Sequence, residues 1–252
     1  MRTCGQTGAP LRSQDLIQLS LFIHNMVCVK GVPKMFTRNL SEDEVAIIYK
    51  MEVFVRDKHD TLQGHDYSHI LAVTNYSIEI AKRIPNPVDP FTLICGALFH
   101  DIGRVGTRTG RLHGLRGATI TEEYLEAIGI EDEIREQIVQ VVVRHTETSM
   151  LPPETVIEKV VFDADDLDRL GLMGMLRGMM VGDVDRSMEN IIKNRLEKRK
   201  EDFQRLHFQA SRELGRNLYE ETLQLIDLIQ HSLSQRCIHI SKLNLTELAS
   251  KS

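Results

Sequence analysis

Apolar residues recur along most of this chain with a period near 3.6, and runs that alternate every second residue are rare. The pattern predicts a succession of helices and an all-α fold. Ser41 followed by Glu44 reads as a capping box that opens a helix through about Lys58. A second helix starts near Asp66 or Tyr67 and stops before Pro85. Asp89-Pro90 opens a third, expected to run to about Ile102, where Gly103 ends it. Helices are further expected over Leu115–Ile128, Glu131–His145 and Pro153–Leu170. After a short segment, one long helix is expected from about Val184 to Ser232.

Certain polar residues break the pattern by sitting on apolar stripes. Ile94, Ala97, Leu98 and Asp101 fall on one face of the third helix. Ile134, Ile138, Val141, Val142 and His145 share a face of the fifth, and Ile157, Val161 and Asp165 share one of the sixth. A carboxylate on a core-facing stripe is costly unless it is paired or binds a metal. Several such residues on different helices point to a common meeting place. The plainer reading, a hydrogen-bonded or surface histidine, applies to His24, His59, His207, His231 and His239. The Lys193–Lys200 run, interleaved with Glu, reads as a solvated helix face.

Composition narrows the class. The chain has 252 residues, 42% hydrophobic and 27% charged, enough for a folded domain of ordinary soluble type. Trp is absent, so the core rests on Leu, Ile, Val, Met and Ala. A net charge of −5 argues against a broad nucleic-acid footprint and leaves room for a small anionic substrate held locally. Cys4, Cys28, Cys95 and Cys237 lack metal or redox spacing and read as free thiols in a reducing cytoplasm. Residues 16–29 are apolar but too short to span a bilayer, so no membrane partner is expected. The organisation read from these signals is an N-terminal extension over 1–40, a domain over 41–232 and a polar tail over 233–252.

The exceptional residues form a series: His69, His100-Asp101, His113, His145 and Asp165. They stand in the segments HDYSHI (65–70), ALFHDIG (97–103), HGLRGA (113–118), VVVRHT (141–146) and DADDLDRLG (163–171). In this order the segments resemble the HD superfamily of metal-dependent phosphohydrolases, a helical bundle with a metal site at its centre. The resemblance implies that His69, His100, Asp101 and Asp165 are the core ligands. His113 and His145 match the extra ligands of two-metal members. His65-Asp66 is itself an HD dipeptide, but the family pattern places the ligand at His69. Asp163 and Asp168 are expected to orient ligands or to pair with Arg169.

Imidazole and carboxylate ligands suit Fe, Mn, Co, Ni or Zn. Two such ions would lower the pKa of a bound water to about 7 and hold a phosphoryl group for in-line attack. The expected activity is hydrolysis of a small phosphomonoester or phosphodiester: a nucleotide, or a cyclic phosphate such as that of a pterin. Asp101 would bridge the ions and help position the nucleophile. Arg104 would offer a fork to phosphate. Arg144, Arg116 and Arg177 are weaker candidates, equally suited to the surface. Two rival readings are a mixed-valent di-iron oxygenase on the same fold and a ligand-sensing module without turnover. The long C-terminal helix would serve a homo-oligomer or close the bundle. Because the helical pattern begins only after Met35, a second hypothesis is that translation starts there; in mass spectrometry of the native N-terminus, a peptide from residues 1–34 would refute it.

Overall fold

The computed structural model describes residues 36–59, 66–107, 110, 112–180 and 198–236. Among them the β structure is an isolated parallel bridge between Phe36 and Val88. The helices are α1 (Glu42–His59), α2 (Tyr67–Ala81), α3 (Pro90–Phe99), α4 (His113–Ala127), α5 (Asp132–Arg144), α6 (Val156–Asp168), α7 (Gly171–Met180) and α8 (Gln209–Arg236). Single 3-10 turns follow α3 (Ile102–Arg104) and α5 (Glu147–Ser149). Residues 198–204 are also helical. No described helix is long and apolar enough to cross a membrane.

Local signals set most of the starts. Ser41 and Glu44 exchange side-chain-to-backbone hydrogen bonds of 2.8 and 3.2 Å at the head of α1. Asp66 caps α2 by accepting from Ser68 N and His69 N. Asp89 caps α3 by accepting from Thr92 N, with Pro90 in the first turn. α6 starts at Val156, later than expected from Pro153, because Thr155 and Glu158 form a complete capping box there. α4 starts at His113, earlier than Leu115, behind a left-handed Leu112.

α3 is the axis of the fold. It packs against α1, α2, α5 and α6, and every one of its residues is buried. A helix surrounded on all sides is apolar all round, which is why its stripe is hard to separate from its other faces. On one side Phe91, Ile94, Leu98 and Phe99 meet Met51 and Val55 of α1, Leu125 of α4 and Val142 of α5. On the other, Leu93 and Ala97 meet Val73 of α2 and Val160, Val161 and Ala164 of α6. Burying a side chain such as Phe91 or Leu93 contributes roughly 1.5–3 kcal/mol.

Three expectations change. The third helix stops at Phe99, and the chain tightens into the 3-10 turn instead of running helically to Ile102. The long last helix is interrupted at residues 205–208. Leu206 there is fully buried, and the carboxylate of Asp163 on α6 accepts from His207 N at 2.8 Å and Phe208 N at 3.1 Å. That carboxylate, reaching in from another helix, starts α8. Arg199, read as part of a solvated face, is buried and bonds to the Arg169 carbonyl and to Asp202.

Phe36 and Leu40, assigned to the N-terminal extension, pack on the core, and α8 runs past Ser232 to Arg236. Met35 and the rest of the extension, His65, residues 184–197 of the expected helix, and the tail from Cys237 onward lie outside the described residues.

Asp163 accepts from two backbone amides and from His207 Nδ1. Asp163→Ala leaves those donors unmet, and it is expected to cost about 3 kcal/mol or more in urea unfolding. A loss below about 1 kcal/mol would show that the α8 start does not depend on it.

Candidate metal centre

The expected ligand residues gather where helices end. His69 lies in the first turn of α2, and His113 is the first residue of α4. His100 and His145 follow the last residues of α3 and α5. Asp101 stands just past α3, and Asp165 lies in the last turns of α6. Asp101 and His145 are therefore beyond their helices, though still in line with the apolar faces that predicted them. All six side chains are buried.

Helix ends explain how the imidazoles are held. The last carbonyls of a helix have no partner within it. His100 Nδ1 donates to Ala97 O at 2.7 Å, and His145 Nδ1 donates to Val142 O at 2.6 Å. His113 Nδ1 donates to Gly110 O at 2.7 Å. Each bond caps the backbone and fixes the tautomer, leaving the Nε2 lone pair as an acceptor. His69 differs: its Nδ1 meets a carboxylate, Asp168 Oδ2, at 2.6 Å.

The Nε2 atoms converge in two pairs. His113 and His145 bring theirs 3.1 Å apart, and His69 and His100 do the same. Asp101 lies between the pairs with one oxygen toward each. Its Oδ1 is 3.1 Å from His113 Nε2 and 3.5 Å from His145 Nε2. Its Oδ2 is 3.4 Å from His69 Nε2 and 3.9 Å from His100 Nε2. Asp165 Oδ1 comes within 3.6 Å of His69 Nε2. On the His113 side the Nε2 atoms of His113 and His145 and the Oδ1 of Asp101 point at one place, an arrangement that a cation satisfies. Two groups could each hold an ion, His69–His100–Asp101 and Asp101–His113–His145, with ligand atoms of each within 4.8 Å of one another.

Electrostatics fit the same use. Burial pushes the His100 pKa well below its ordinary value against the pull of Asp101, and His69 and His145 push it down further. Burial likewise lowers His145. Both rings are therefore neutral and able to ligate. At His69 burial works downward, but hydrogen bonds to Asp101 and Asp168 win and raise it to about 9. Burial pushes Asp165 up, and Arg169, His69 and His100 more than reverse this, so it stays ionised.

Each nearby carboxylate faces a guanidinium. Arg104 Nε donates to Asp101 Oδ1 at 2.8 Å, Arg169 holds Asp165 Oδ2, and Arg177 holds Asp168. Arg104 therefore lies beside the centre, bonded to Asp101. Arg144 is not: it bonds to Gln140, the Pro152 carbonyl and Glu154. Adjacent residues at a helix end diverge by about 100°, so His145 points inward while Arg144 points to that loop. Arg116 is exposed. Beside the site lies a buried network that the periodicity does not reveal, in which Asp166 and Asp202 are bridged by Arg169 and Arg205. Asp166 is raised to about 7 by burial despite both arginines. The run of Asp residues over 163–168 was the available signal, since so many carboxylates on one buried helix need cations nearby.

Residues 66–170 match the family model of the HD domain. No curated protein matches the chain significantly. Among solved structures, YpgQ of Bacillus subtilis in complex with ADP aligns with TM-score 0.60 and 22% identity, over 75% of this chain and 96% of its own. Lin1889 of Listeria innocua aligns with TM-score 0.61 and 21% identity, over 78% and 99%. An HD-superfamily hydrolase of Bacillus thuringiensis aligns with TM-score 0.56 and 19% identity, over 76% and 98%.

Gly103 presses the 3-10 turn against α4: a Cβ there would lie 1.9 Å from His113 O and 2.5 Å from Gly117 N. Because both contacts are backbone, Gly103→Ala must part Asp101 from His113. It is expected to cost at least about 1–3 kcal/mol, read as a lower Tm in calorimetry; an unchanged Tm would contradict this packing.

Proposed function

We propose, from the match of residues 66–170 to the HD domain, that the chain is a phosphohydrolase of the HD superfamily that uses two divalent transition-metal ions, one on each side of Asp101. The observation that carries this reading is the division of the Asp101 carboxylate, one oxygen toward His113 and His145 and the other toward His69 and His100. On this reading His69, His100, Asp101 and Asp165 hold one ion, and Asp101, His113 and His145 hold the other. The ions are Fe, Mn, Co, Ni or Zn, which imidazole–carboxylate sets accommodate. Bound there, they would acidify a water and polarise the phosphoryl oxygens.

The chain's own residues prepare that chemistry. Backbone carbonyls hold three imidazoles in the tautomer that presents Nε2, so little reorganisation is needed. Arg104 holds Asp101 Oδ1 and fixes the tilt of the shared carboxylate. Arg104, Arg169 and Arg177 already balance the charges of Asp101, Asp165 and Asp168. Added divalent ions would thus leave net positive charge, and an anion such as a phosphate would neutralise it. Burial of the ligands excludes bulk water and strengthens these interactions.

The substrate proposed is a small phosphorylated molecule. A nucleotide is favoured over a pterin cyclic phosphate because one structural neighbour, YpgQ, was crystallised with ADP. The test is a panel of nucleotides and cyclic phosphates, assayed for phosphoester cleavage with Mn²⁺, Fe²⁺, Co²⁺ and Ni²⁺. Cleavage should fall by at least about 100-fold in Asp101→Ala, which loses a ligand to both ions. Metal analysis should give two ions per chain, and one in His113→Ala. A fully loaded protein that cleaves no phosphoester and consumes O₂ would overturn the reading in favour of a di-iron oxygenase.

A further inference from the structure

His69 is anchored unlike the other three histidines. His100, His113 and His145 each give Nδ1 to a carbonyl three residues earlier in the chain. Those anchors are local backbone and move with the histidine. His69 gives Nδ1 to Asp168, on a different helix and 99 residues away. Asp168 is itself held from a third helix: Arg177 of α7 meets both its carboxylate and its carbonyl oxygen. α7 is tied in turn to α8, where Gly171 N donates to Thr222 Oγ1 at 2.7 Å.

We propose that Arg177 is a positioning residue for one half of the centre: through Asp168 it fixes His69, and so sets the affinity of the ion on the His69–His100 side of Asp101. This rests on the two-ion reading above. The side chain of Asp168 is only 8% exposed. Without Arg177 its charge is poorly compensated at that depth, a costly state relieved by turning toward solvent. Turning withdraws the acceptor from His69, whose ring then loses both its fixed tautomer and the basicity that a carboxylate partner confers. The His113–His145 side has no such dependence on α7, because its imidazole anchors are the Gly110 and Val142 carbonyls, with Thr148 Oγ1 3.3 Å from His113 Nδ1. The two ions therefore respond differently to a change in α7.

The test titrates Mn²⁺ into the full-length protein after chelator treatment, with ions counted by mass spectrometry and affinities measured by calorimetry. Arg177→Met and Asp168→Asn are each expected to weaken one ion by roughly 10- to 100-fold and to leave the other within about twofold. Arg177→Lys should recover part of the loss, since it returns a charge to Asp168. A merely structural role would lower Tm without separating the ions. Circular dichroism identifies the variants that remain folded, and Asp168→Asn keeps the proposal testable if Arg177→Met does not fold. Wild-type affinities for both ions in the folded variants, or equal loss of both, would overturn the proposal while leaving the two-ion reading intact. Wild-type protein that takes up no Mn²⁺ would overturn both.

Discussion

The constraint on which the structure depends is a buried carboxylate divided between two pairs of imidazoles. Asp101 is almost fully buried, and its two oxygens face opposite ways. A charge in that position is tolerated only where surrounding groups compensate it closely. Much of the nearby architecture serves this. α3, buried on every side, fixes where the chain emerges at His100-Asp101. Gly103 lets the following turn press against α4 and bring His113 to Asp101. Arg104 reaches back to hold one oxygen from the same turn.

Helix ends perform two tasks here. The carbonyls of Ala97 and Val142 lack helical partners, and the histidine just past each helix supplies the missing hydrogen bond. The same bond orients Nε2 toward the centre. Stability and ligand geometry thus share one interaction, and the site draws on forces that the helices require anyway. His69 is the exception, and its longer chain of anchors through Asp168 and Arg177 gives the centre two unlike halves.

The sequence made most of the helices legible because they rest on local pattern. His145 and Asp165 stood out as polar residues in apolar registers, and the caps at Ser41 and Asp89 are encoded within a few residues. What it concealed depends on distant partners. The break at 205–208 carries neither Gly nor Pro; it exists because Asp163 reaches across from α6. Arg199 and Arg205 stand among alternating charges that resemble a solvated surface, yet they bond to the Arg169 carbonyl and to the buried carboxylates Asp166 and Asp202. Arg144, one residue from a candidate ligand, points to an acidic loop that no periodicity connects to it. Local periodicity specifies faces; it does not specify which faces meet.

The most direct measurement of the central claim is anomalous diffraction at the manganese edge from crystals of the Mn²⁺-loaded protein. Two peaks about 3.5–4 Å apart are expected, one bounded by His69, His100 and Asp165, the other by His113 and His145, with Asp101 touching both. A single peak, or metal bound away from Asp101, would contradict it.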